Sequence, residues 1–461
     1  MNATSALVWG RAGFRSFVPQ AEDFEMPHRL AGLALLLGAA IVCFGAEPPR
    51  PNPKSPVDYA AWLNRQYRVE VRDNAAGKYA EACAAFKDAP ELFDSADAVL
   101  RGSWSSKDME PLRDWVRNQD KALTLLAAAA HMPKCYLDVK AADPGRFVLA
   151  SLPATELRGL VKLLMVRARL KLAAHDLDGA LDDAGTLLRV ARHLEAQPLL
   201  LCQLIATAQR GLVNSFLIDL CARSDAGTDY TSVVRWLHDL DAGPPPYGDV
   251  VLAEKVQMWD IVQRAVRDTD GDGQPDTVQS QAGENRPLPP GTTWSDLVEE
   301  ADRIFAKVAE LFRQPDYPKV QKLAETLENP VIGEFKLEGL PGMELRAWDT
   351  WIRATDVRFE TLATYRAARV LVHMQAYRAQ YGRWPPDLKT PTADERPETR
   401  TDPFAGRDFV YRVRDGQPVL YSVGRDGQDD GGRWPTFDDG KPQQRWVDES
   451  GDYIFWPPAK R

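Results

Sequence analysis

Apolar residues return at steps of three and four over most of this chain, and the pattern turns to alternation only near its end. From Val57 onward, Tyr59, Trp62, Leu63 and Tyr67 share one helical face, as do Tyr79, Cys83 and Phe86. Weaker helical stretches follow through Trp115 and Ala122–Ala130. The strongest stretch is Thr155–Leu194, where Leu157, Leu160, Leu164, Ala168 and Leu172 form one stripe. His175-Asp176-Leu177-Asp178 interrupts it, and Ala180, Leu181, Ala184, Leu187 and Leu188 resume it. Leu199–Leu220 is almost continuously apolar, with Gln203, Thr207, Arg210 and Asn214 as a single polar stripe. That pattern predicts a core helix with one wet edge, not a membrane span. Leu164 and Leu204 are expected in the core. Further helices are predicted over Val250–Val266, Trp294–Phe312 and Val320–Leu327, with breaks at Gly243-Pro244-Pro245-Pro246 and Leu340-Pro341-Gly342.

A last long helix carries Phe359, Ala363, Ala367, Val370, Met374, Tyr377 and Tyr381 on one face. Gly382 stops it, and Pro385-Pro386 prevents it from resuming. Two strands then alternate, Phe409, Tyr411 and Val413 on one and Val419, Tyr421 and Val423 on the other, about a turn at Asp415-Gly416. An acidic, glycine-rich loop closes the unit.

The order of motifs in this tail resembles the C-terminal domain of the type II secretion major pseudopilins. The residues that carry the resemblance are Tyr377, Gly382, Trp384, Pro385 and Leu388, then Asp402-Pro403-Phe404-Ala405-Gly406, then Tyr421-Ser422 through Gly432. A pseudopilin places its helix directly behind a Gly-Phe leader junction and a glutamate. Here Gly13-Phe14 is followed by Val18 at the fifth position, and a long chain precedes the helix, so the protein is not read as a pilin subunit. The whole chain resembles exported bacterial proteins with a helical body, for which no activity is implied. The Thr155–Leu194 hairpin resembles one tetratricopeptide unit without its Gly and Tyr positions, and no regular period of about 34 residues recurs. The expected architecture is therefore mainly α: a degenerate repeat-like helical body over 57–349, then a small α+β pseudopilin-like domain over 350–461.

At 461 residues the chain has room for two or three domains and a substantial core. A net charge of −9, with no basic cluster, argues against nucleic acid as a partner. Met26-Pro27-His28-Arg29 precedes the apolar run Leu30–Phe44, and Phe44-Gly45-Ala46 offers small residues for cleavage before Glu47. This is the layout of a secretory signal peptide over 26–46, or of an uncleaved anchor that would be the chain's membrane contact. Residues 1–25 read as a mis-called start or a cytoplasmic lead, and the proline-rich 47–56 as a spacer. The expected location is the periplasm or cell envelope, with an envelope protein as partner. Cys83, Cys135, Cys202 and Cys221 have no CxxC spacing, which argues against zinc; a disulfide or buried thiols both remain open.

Two acidic loops suggest calcium. Asp268, Asp270, Asp272 and Asp276, with Gly273 at the sixth position, follow the alternation by which carboxylates wrap a hard cation around a sharp turn. The twelfth position is Gln279 rather than a bidentate carboxylate. In the tail, Asp426, Asp429 and Asp430 stand among Gly424, Gly427, Gly431 and Gly432 and offer only oxygen ligands. The pseudopilin resemblance implies Asp426 as a calcium ligand, with Asp448 or Asp452 as a later one. No catalytic motif is present, the six histidines are scattered, and helical pairs such as Asp182-Asp183 read as solvated faces. Trp384, Trp434, Trp446 and Trp456 suit either a binding surface or core packing. The function expected is a non-enzymatic, calcium-stabilised binding or scaffold protein of the envelope, with ties to a secretion system. The alternative is an envelope hydrolase whose site lies between body and tail.

Overall fold

The computed structural model describes residues 47–100, 106–143, 146–150, 154–223, 228–240, 247, 250–279, 285–327, 331–332, 335–336, 347–414, 416–436, 446 and 451–457. Residues 26–46, expected as a signal segment or anchor, both Gly/Pro breaks, Asp415 and Asp448 lie outside these. Among the described residues the protein is mainly helical, with a few small antiparallel sheets.

Helices α1 (Tyr59–Gln66), α2 (Ala76–Ala85), α3 (Phe93–Leu100), α4 (Ser106–Asn118) and α5 (Asp120–Ala130) lead to a hairpin, β1 (Val139–Asp143) and β2 (Arg146–Leu149). A helical hairpin follows, α6 (Ala154–Ala173) and α7 (Leu177–Glu195). His175 turns the chain at φ 61°, and Asp176 caps α7 by accepting from the Gly179 amide at 2.9 Å. Then come α8 (Leu200–Arg223), α9 (Tyr230–Leu240) and α10 (Val250–Ala265). The sheet of β3 (Val266–Arg267), β4 (Thr277–Gln279) and β5 (Asn285–Pro287) holds the first acidic loop between its first two strands. Helices α11 (Trp294–Phe312) and α12 (Tyr317–Ala324) and the hairpin β6 (Val331–Ile332) and β7 (Phe335–Lys336) complete the body. A Thr293–Asp296 capping box opens α11, so the sequence boundary at Trp294 holds.

The tail begins on α13 (Ala347–Tyr381), whose 35 residues serve both halves of the chain. It packs along α8 and α9 and also against the tail strands. Beyond it lie β8 (Thr401–Asp402) paired with β9 (Arg407–Asp408), and the sheet of β10 (Val410–Arg414), β11 (Gln417–Ser422) and β12 (Tyr453–Trp456). Strand β11 is central, so both its edges are paired, and Leu420 and Tyr421, which point to opposite faces, are each fully buried. The expected alternation fails on β10, where Val413 is 47% exposed near the hairpin end.

The polar stripe of α8 faces inward, opposite to expectation. Gln203, Thr207, Arg210 and Asn214 are all buried, whereas Leu201 is 45% exposed and Leu204 only half-buried. The cause is that α8 lies packed between α7 and α13, and its polar groups find partners on Glu195 of α7 and on Tyr247 ahead of α10. Gln203 donates to the Glu195 carbonyl at 2.6 Å, Thr207 bonds the Tyr247 hydroxyl at 3.1 Å, and Arg210 donates twice to Glu195, at 2.5 and 2.9 Å. Asp183 departs in the same way. It is buried and accepts from Arg167 at 2.7 and 2.9 Å, with Lys171 at 3.0 Å. Leu164 is buried as expected.

The four cysteines are free and buried, and burial pushes the Cys83 and Cys202 thiols up to about 12. The proline-rich segment is tied down. The Tyr59 hydroxyl donates to the Pro49 carbonyl at 2.8 Å, and Arg50 pairs with Asp302 at 2.8 Å. The tail tryptophans pack among aromatic neighbours: Trp446 stacks on Tyr453 at 4.3 Å, Trp434 meets Tyr453 at 4.7 Å, and Trp384 lies 5.9 Å from Trp456. Trp446 and Trp456 are buried in the small-domain core, whereas Trp384 and Trp434 are half-buried at its edge.

Candidate metal centres

The first acidic loop curls back on itself between β3 and β4. Gly271 and Gly273 supply φ angles of 84° and 91°, which side-chain-bearing residues rarely adopt. Asp268 accepts from the Gly271 and Gly273 amides at 2.7 and 3.0 Å. One oxygen of Asp276 accepts from the Thr269 amide and hydroxyl and from the Asp270 amide, at 2.9, 2.5 and 3.1 Å. The Thr269 hydroxyl bond holds the Asp276 carboxyl below the usual range, so it stays ionised. Its other oxygen is buried and makes no well-formed hydrogen bond, and the Thr277 side chain helps to lower the carboxyl. Carboxylate oxygens of Asp268, Asp270 and Asp276 lie within 4.8 Å of one another. Asp272 stands apart from that trio and accepts from the Gln274 amide at 2.7 Å. Gln279 is in β4, opposite Asn285, so the twelfth position is taken up by the sheet. The Trp294 indole donates to the Gly273 carbonyl at 3.2 Å and fixes the loop to α11.

The tail loop spends its carboxylates differently. Asp429 accepts from the Tyr421 hydroxyl at 2.6 Å and the Gly431 amide at 2.9 Å, and its second oxygen meets Arg412 at 2.7 Å. The Tyr421 bond, with those from Gly431 and Arg412, keeps the Asp429 carboxyl below its ordinary value. Asp430 accepts from the Gly451 amide at 3.1 Å, and Asp426 from the Gln428 amide at 3.0 Å. Asp452 is buried and accepts from the amides of Asp430, Gly432 and Arg433 at 3.3, 2.6 and 3.2 Å. It holds the loop from inside.

Asp402 and Arg425 anchor this tail. Asp402 is buried and accepts from the Phe404 and Val423 amides and the Ser422 hydroxyl, each at 3.0 Å. Burial nevertheless raises its carboxyl to about 6. Arg425, in the Gly-Arg-Asp-Gly turn, reaches into the body and pairs with Glu360 and, at 3.5 Å, with Asp356. Tyr317 donates to Asp356 at 2.8 Å, and Gln321 donates to the Arg425 carbonyl at 2.8 Å. The turn is thereby locked onto α12 and α13.

The structure also gathers residues that are far apart in sequence. His238 on α9 and His373 on α13 have ring centroids 6.2 Å apart and converge on Glu395, which is fully buried. Burial alone would raise the Glu395 carboxyl, but the His373 hydrogen bond and the Arg369 charge outweigh it and lower it to about 2. Burial also lowers the His238 imidazole from its ordinary value. No spacing signal marks this trio, since its members come from three separate segments.

An open cleft of about 980 Å³ adjoins the first acidic loop, bounded by α1, β1 and the end of α10. Lys54, Lys140, Arg267 and Asp268 line it. Fold and site together define a mainly α-helical protein with an acidic loop beside a cleft and a charged cluster at the body–tail junction. No family model, curated protein or solved structure matches this chain.

Proposed function

We propose that this is a non-enzymatic binding or scaffold protein of the cell envelope, stabilised by calcium at Asp268, Asp270 and Asp276. The observation that carries the reading is the buried oxygen of Asp276, without a well-formed hydrogen bond, among three convergent carboxylates. An ion there would satisfy it and offset the mutual repulsion of the three charges. The loop stands between α10 and α11 at the rim of the cleft, so ordering it would also order a binding surface. Export rests on the charged Met26–Arg29 segment and the apolar run behind it. The repeat-like body finds support in the α6–α7 hairpin stacked on α8. The pseudopilin-like tail finds support in the order of long helix, Asp402 turn, hairpin and glycine-rich acidic loop. Calcium titration calorimetry on the purified chain, with a pull-down from envelope fractions in calcium and in chelator, tests the reading. Saturable calcium binding and a calcium-dependent partner are expected; heat traces no different from buffer would reject it.

One observation favours a second reading, an envelope hydrolase with its site between body and tail. The His238, His373 and Glu395 side chains converge at that junction.

A further inference from the structure

We propose that His238, His373 and Glu395 form a binding site for a divalent transition-metal ion of the zinc class. The site is independent of the calcium loop. One ring nitrogen of each imidazole and one Glu395 carboxylate oxygen lie within 4.8 Å of one another. His373 Nε2 stands 2.8 Å and His238 Nε2 3.7 Å from that oxygen. A tetrahedral ion with bonds of about 2.0–2.1 Å holds neighbouring ligands about 3.3–3.4 Å apart, a spacing these two distances bracket. The 3.7 Å approach of His238 is too long for a hydrogen bond, so this imidazole faces the carboxylate without bonding it.

The carboxylate is held in place from behind. Arg369 Nε donates to Oε1 at 2.8 Å, and the Thr399 hydroxyl donates to Oε2 at 3.4 Å. Arg369 also reaches the carbonyl of Leu237, the residue before His238, at 3.5 Å. Outer contacts of this kind orient the ligands of metal sites. Two imidazoles with one carboxylate oxygen suit zinc rather than calcium, which needs six or more oxygens. Arg369 already neutralises Glu395, so the two imidazoles supply most of the affinity, and binding requires the His373 Nε2 proton to move to Nδ1 or to solvent. The His238 side chain is 31% exposed while Glu395 is sealed, so a water would complete the shell on the His238 side, which is also the entry path.

The same trio with no ion would be a buried ion-pair cluster in which His373 simply donates to Glu395. Zinc calorimetry and cobalt absorption on the EDTA-treated full chain separate the two. One equivalent of zinc per chain is expected, with the intense visible bands of four-coordinate cobalt. His238→Ala lies at the exposed edge and should keep the fold, checked by circular dichroism, while binding zinc at least about tenfold more weakly. His373→Gln, judged on the cobalt bands alone, should abolish them. Zinc binding that is absent, or unchanged in His238→Ala, or a weak six-coordinate cobalt spectrum, would overturn the proposal.

Discussion

The two acidic loops of this chain are written in similar letters and fold to different ends. In the body loop, Asp268, Asp270 and Asp276 accept from amides and a hydroxyl of their own loop and turn oxygens toward a shared point. In the tail loop, Asp429 is taken by Arg412 and Tyr421, Asp430 by Gly451, and the buried Asp452 binds the backbone from within. Asp–Gly spacing therefore supplies the curl of the chain but not the fate of the charge. That fate depends on the donors the rest of the fold delivers. The body loop is left with convergent oxygens for an ion to neutralise, and the tail loop has Arg412 on Asp429 and backbone amides on Asp426 and Asp430.

The largest effect should come from the anchor of the tail loop. Arg425→Ala would leave Glu360 and Asp356 buried beside each other with one cation fewer, at a cost of about 3–5 kcal/mol. Urea denaturation measures this. A loss under about 1 kcal/mol would mean that the tail loop is not locked to the body, and the contrast between the loops would weaken.

Asp402 sharpens the comparison through pH. Its native carboxyl titrates near 6, above the ordinary 3.8. Between about pH 4 and pH 6 the unfolded chain therefore binds fewer protons than the native one, and stability falls as pH rises. The contribution is complete below about pH 4 and lost above about pH 6, amounting to up to about 3 kcal/mol. The difference in stability between wild type and Asp402→Asn, followed from pH 4 to 7, isolates this slope. Parallel curves for the two proteins would contradict it.

The smallest effect concerns the Arg412–Asp429 pair, whose side chains are 43% and 30% exposed. Arg412→Ala should cost under about 1 kcal/mol and diminish further in high salt. A cost above about 2 kcal/mol would show that this pair, rather than Asp452 and Arg425, holds the tail loop.

Much of the fold was legible because the apolar periodicity was strong. The α11 boundaries, the α6–α7 hairpin and the stop at Gly382 all follow from local pattern and capping. The α8 seam was not legible. A polar residue every third or fourth position looks the same on a wet edge as between two helices. Only the arrival of Glu195 and Tyr247 makes the inward orientation possible. Asp183 faces inward for the same reason, since its partners Arg167 and Lys171 sit one helix away. The acidic loops were visible as candidates, but nothing local separated them. The His238–His373–Glu395 trio was invisible, because its three residues share a neighbourhood and no motif.

By the proposed reading, calcium is held by the body loop at Asp268, Asp270 and Asp276. Thermal melts of the full chain in calcium and in chelator, for wild type and for Asp276→Asn, test it most directly. At about a hundredfold excess over Kd, calcium should stabilise the wild type by about 2–3 kcal/mol. Asp276→Asn should lose that gain, whereas Asp426→Ala should keep it. Identical wild-type melts in calcium and chelator, or a gain that survives Asp276→Asn and vanishes in Asp426→Ala, would contradict the account.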